Sequence, residues 1–136
     1  MSENNRKIVG FRDLDVYQRA YNLGIIIMKK VIPNLPIEER NDLRNQLSRS
    51  SKAIPRLIAE GYAKKHQKFG FNKYLDDALA ECNETIVSLS QCHDLYPNRI
   101  ETNLCRTLLE SYDIVSKQLY KLSLSWKKIL TPIPNP

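Results

Sequence analysis

Arg40, Arg44, Ser48, Lys52 and Arg56 follow one another at a step of four, with Arg49 beside them. On a helix of 3.6 residues per turn that step draws a slowly drifting ridge of cations along one side. Lys64, Lys65 and Lys68 carry positive charge past the end of the same segment. Guanidinium and ammonium groups at this spacing can follow a phosphate backbone, gaining affinity from counterion release without reading bases. The same spacing suits an ordinary solvated helix face with i,i+4 partners such as Glu60 and Lys64, and the sequence leaves both readings open. Aromatic interleaving is confined to Tyr62, Phe69 and Tyr74, a thin basis for stacking on single strands.

Other constellations are poorer in chemistry. A di-iron carboxylate centre in a helical bundle needs Glu-x-x-His on two helices. Here Ala63 stands three residues before His66 and Ser90 three before His93. Cys92, His93 and Asp94 are consecutive, so on a helix they fan out by about 100° each and cannot converge on one ion. Glu81 and Glu84 share a helix face but have no nucleophile or cleft-forming loop beside them, which favours solvated or cation-paired carboxylates. No glycine-rich phosphate loop or nucleophile motif occurs. The expectation is a protein without catalysis, cofactor or metal.

The elements that position these residues are helical. Apolar residues recur at three and four, and nothing alternates with a period of two. An all-α, antiparallel up-down-up-down four-helix bundle follows, as one domain over 1–136, with helices at about 13–30, 36–63, 68–94 and 99–128. A Pro-rich tail, 129–136, is expected to be loosely held. Asp13 is a candidate N-cap, Pro36 with Glu38 and Glu39 a candidate second start, and Asn98 with Glu101 a candidate capping box. Leu23, Ile25, Ile26, Ile27 and Met28 put apolar side chains all around the first helix, which asks for cover from a subunit contact or from the tail. Pro55 removes a backbone donor in mid-helix at a cost of about 3 kcal/mol, so it reads as a kink that shapes packing or as a ligand notch. The neighbouring serine hydroxyls are candidates to satisfy the carbonyl it frees. Gly61 reads as a close helix contact or a C-cap.

Composition sets the outer bounds. Among 136 residues, 21 Lys and Arg stand against 15 Asp and Glu. The excess is local: residues 1–70 carry 14 basic against 7 acidic side chains, whereas residues 71–100 carry 2 against 5. Cys82, Cys92 and Cys105 lie within helical patterns without a CxxC pair and read as small buried hydrophobes in a reducing compartment. The longest apolar run, Ile25–Met28, is far below the roughly 20 residues of a membrane span. With no secretion signal evident, the cytoplasm is the expected location and no membrane partner is expected.

The stretches FRDLDVYQRAYNL, ERNDLRNQLSRSSKAIPRLIAEG and FNKYLDDALAECNE together resemble one family. They are similar to the bacterial four-helix-bundle proteins of intervening sequences in large-subunit ribosomal RNA, which include the accessory variability determinant of diversity-generating retroelements. Ile54-Pro55 and Ile58-Ala59-Glu60-Gly61 form the most specific element, and the likeness covers roughly residues 11–95. The resemblance implies a homopentamer with a basic surface that associates with nucleic acid and, in the retroelement branch, with a reverse transcriptase. Carried over by position, it makes Pro55, Glu60 and Gly61 architectural and Arg44, Arg49, Lys52 and Arg56 the basic face. The function expected is a homo-oligomeric nucleic-acid-binding bundle, with a structural or protein-interaction oligomer as the alternative. Arg40, Lys64, Lys65 and Lys68 extend the binding set, and Leu23, Ile25, Ile26 and Met28 are the expected oligomer contacts.

Overall fold

The computed structural model describes residues 7–130, with the side chains of residues 129 and 130 excepted. Four helices carry the chain: α1 (Asp15–Ile26), α2 (Leu43–Ala63), α3 (Gly70–Leu95) and α4 (Thr102–Leu130). Each packs on its neighbour in the chain and α4 returns to α1, which closes an antiparallel four-helix ring. Among the described residues there is no strand. The apolar stripes meet in one core, with Ile27, Leu47, Ile54, Ile58, Phe71, Leu75, Leu89, Tyr112 and Leu119 near full burial. Each such side chain contributes roughly 1.5–3 kcal/mol of transfer free energy. At one end Phe71 meets Tyr62 and Trp126 edge to face, with ring centroids 5.9 and 5.1 Å away.

The helix ends differ from the sequence expectation for local reasons. Asp13 does not cap α1; its carboxylate accepts the N–H groups of Val9 and Gly10 at 2.8 and 3.0 Å and fixes a preceding 3-10 turn, Phe11–Asp13. At its far end α1 widens into a π turn over Ile27–Val31 and tightens into a 3-10 turn over Ile32–Asn34. There Pro33 has no N–H to continue the ladder, and the Asn34 amide donates to the Lys30 carbonyl at 2.7 Å. Pro36 opens only a 3-10 turn, Ile37–Glu39, because Asp42 leaves the helical region at φ −129°, ψ −103°. Glu39 then accepts the Leu43 N–H at 3.5 Å and the Tyr96 hydroxyl, which joins the first connection to the third. The N-cap position of α4 falls on Glu101, so Asn98 lies in the turn outside it. Residues 129 and 130 continue α4, and the remainder of the expected loose tail lies outside the described residues.

Pro55 and Gly61 show what the small residues of α2 are for. Ser50, Ser51 and Ala53 are buried, and Gly24 of α1 lies against the Ser51 carbonyl that Pro55 leaves without its helical donor; a Cβ on Gly24 would sit 3.4 Å from that oxygen. The Ser51 hydroxyl does not serve this carbonyl, because it donates to Ser48 O at 3.3 Å. Gly61 is a close contact and not a C-cap. It lies inside α2, and a Cβ there would meet Tyr74 Cβ at 2.5 Å and Phe71 Cδ1 at 3.1 Å. The three cysteines are free and buried. Burial pushes the Cys82 and Cys92 thiols up to about 12, so both stay protonated at neutral pH.

Candidate nucleic-acid interface

The structure divides the cations of α2 between two flanks. Toward α3, the Arg49 guanidinium holds Glu84 at 2.6 Å and Glu81 at 3.6 Å. The hydrogen bond to Glu84 raises the Arg49 pKa further, and burial followed by repulsion from Glu84 raises that of Glu81 against the opposing pull of Arg49. Arg49 is therefore a structural clamp across 35 residues of sequence, not a free member of the ridge. The carboxylates of α3 that resemble an acid/base pair are cation-paired.

The other flank is open. Lys52 on α2 and Arg40 in the turn before it are exposed with no carboxylate in ion-pair range among the described residues, and Arg56 meets Glu60 only at 3.9 Å, one helical turn away. An exposed i,i+4 pair of that length adds little to stability and yields readily to a phosphate. Arg44 is half-buried and its Nε is buried without a hydrogen-bond partner, so its stem is part of the packing. Beyond α2 the connection 64–69 is exposed throughout. Lys65 Nζ lies 4.1 Å from the Tyr62 ring centroid and Lys68 Nζ 5.6 Å from that of Phe69, contacts that orient the ammonium groups without neutralising them. Phe69 takes the left-handed conformation at φ 58°, and a Cβ on Gly70 would lie 2.3 Å from Lys64 O. That crowding requires glycine and fixes the turn that displays Lys64, Lys65 and Lys68.

Between the open flank and α1 lies a groove of about 340 Å³, within the size range of small-ligand pockets, about 300–1,000 Å³. Phe11, Tyr17, Tyr21 and Met28 form its walls, while Gly24 and Pro55 let the two helices approach at its base. Among the described residues Lys52 and Arg56 are its charged lining groups, and no acid lines it. Phe11 packs edge-on to Tyr17 at 4.9 Å, and Tyr17 and Tyr21 lie 5.9 Å apart at 33°. Sequence reasoning missed these aromatics. Tyr17 and Tyr21 stand at i,i+4 in line with the core stripe, and only their position across from Lys52 distinguishes them.

The expected oligomer contacts also change. Leu23, at 7% exposure, belongs to the core, and Ile26 and Met28 are partly buried against it. Only Ile25, at 41%, projects freely, and it lines the groove.

Among the described residues no three His, Cys, Asp or Glu side chains gather as metal ligands, and no helix is long and apolar enough to cross a membrane. His93 sits at a helix junction, with Nε2 3.1 Å from Thr102 Oγ1.

The class defined by this fold and site is an antiparallel four-helix bundle with one cationic edge. The chain belongs to the 23S rRNA-intervening sequence protein family, whose model matches residues 12–121. No curated protein matches it.

Proposed function

We propose that this protein is a non-catalytic, cytoplasmic bundle that binds nucleic acid by its backbone along the open edge of α2 and the 64–69 connection. The observation that carries the reading is the set Arg40, Lys52 and Lys64, all exposed and without an ion pair among the described residues. Lys65 and Lys68 add charge at one end, and Arg56 joins when phosphate displaces Glu60. Membership of a family described by a ribosomal RNA intervening sequence agrees with an RNA ligand. Arg49 is left out because its charge is spent on α3.

The test is a gel-shift titration of single- and double-stranded RNA and DNA at two salt concentrations. Each phosphate contact steepens the log–log salt dependence by about 0.9 on duplexes. The variant Arg40→Glu/Lys52→Glu/Lys64→Glu is expected to flatten the slope by about 2.7, and Arg49→Gln to leave it unchanged. Absence of binding at low ionic strength removes the proposal and leaves the alternative, a structural oligomer whose charge serves solubility.

Self-association, pentameric if the resemblance holds, would array several cationic edges on one polymer and multiply avidity. Light scattering at micromolar concentration reads this, and a monomeric mass rejects it. Partnership with a reverse transcriptase is the narrowest form of the proposal and rests on the resemblance of the three quoted stretches to the family's retroelement branch.

A further inference from the structure

We infer that the groove between α1 and α2 receives one unpaired nucleobase of a single-stranded nucleic acid, stacked on Tyr21, while Lys52 and Arg56 hold the adjoining phosphate. This rests on the nucleic-acid reading above and deepens it, because it names the strand form the site selects. A nucleotide joins a flat apolar face to a fixed anion, and the groove offers the matching pair. Tyr21 is 49% exposed and paired with Tyr17 as a ring platform, and Ile25 and Met28 supply apolar cover. The cations stand on the facing helix. Stacking of this kind tolerates any base, because every base has a π face. A base in a duplex is covered above and below and cannot enter without being flipped out.

A second copy of this chain is the competing occupant. It would need carboxylates to meet Lys52 and Arg56; exposed Asp15, Glu38 and Asp77 have no ion pair among the described residues, so mass in solution separates the two occupants, whereas most other acids of α3 are engaged. Glu81 and Glu84 hold Arg49, and Asp76 accepts from the Ser123 hydroxyl at 3.2 Å. A nucleic acid brings its own anion at every step.

The experiment compares Tyr21→Ala, Tyr21→Leu and Tyr21→Phe with the parent on a fluorescent oligouridylate and on a blunt RNA duplex, at one salt concentration, with mass followed by light scattering. Tyr21→Ala and Tyr21→Leu are expected to weaken single-strand binding about 10-fold while duplex binding stays at the parent value, and Tyr21→Phe to restore it. Leucine keeps apolar cover and removes the π face, so retention by Tyr21→Leu overturns the inference. Equal loss on both ligands, or loss on neither, overturns it with backbone binding intact. A fall in mass with Tyr21→Ala assigns the groove to a second copy and also overturns it. A parent that binds neither ligand sinks the nucleic-acid reading itself.

Discussion

The two flanks of α2 carry the same kinds of residue and do opposite things. Against α3 the seam is closed: Gly61 lets Tyr74 and Phe71 approach within a side chain's breadth, Thr85 and Ser50 hydroxyls lie 2.8 Å apart, and Arg49 is locked between Glu81 and Glu84. Against α1 the core side is packed, with Gly24 against the Ser51 carbonyl, and the outer side opens into a groove whose cations meet no acid from the facing helix. A basic side chain on this helix becomes architecture where acids face it and stays turned to solvent where none does. Arg49 and Lys52 are three residues apart in sequence and only about 60° apart around the helix axis, so a small turn of the surface separates the two environments.

The contrast breaks most visibly at the glycines. Gly61→Leu is expected to destabilise the fold by about 1–3 kcal/mol or more through overpacking against the Tyr74 backbone stem, whereas Gly24→Ala, whose Cβ meets only an ordinary contact, should be neutral or gain up to about 1 kcal/mol in helix propensity. Urea midpoints read both, and equal loss at the two sites would mean that the flanks are packed alike. A charge exchange sharpens the comparison on the functional side. Lys52→Glu should weaken nucleic-acid binding several-fold with little change in stability, while Arg49→Glu, which leaves three carboxylates together, should lower the urea midpoint and leave the salt slope of binding unchanged.

The smallest effect is a pH dependence. Because burial raises the folded pKa of Glu81, its contribution to stability is fully present below the ordinary glutamate range and is lost as pH rises through the folded pKa. Glu81→Gln should therefore flatten the fall in stability between that range and neutrality, as followed by denaturant midpoints at several pH values. A variant whose profile overlays that of the parent would show that Arg49 already cancels the cost.

How much of this was legible in the sequence divides along the same line. The four helices were, because residues such as Leu43, Leu47, Ile54 and Ile58 repeat at three and four and each stripe has one core to face. Helix starts were less so: Pro36 and Asp13 carry capping chemistry, but the local Phe11–Asp13 turn and the backbone break at Asp42 moved the starts by two and seven residues. The ridge of cations was visible, and its division was not. Arg49 and Glu84 lie 35 residues apart, and no local spacing reports that they meet. The groove was illegible for the same reason, since Tyr17 and Tyr21 become a wall only when Pro55 and Gly24 set the spacing of two helices.

The length of α2 has a consequence for scale. Its 21 residues extend about 31 Å at 1.5 Å each. That distance corresponds to about nine nucleotide steps of a B-form strand at 3.4 Å. The turn after α2 adds ammonium groups at one pole, whereas the Tyr96–Glu39 tie clamps the other. The two ends of this rod therefore differ, one crowned by ammonium groups and the other tied to the third connection.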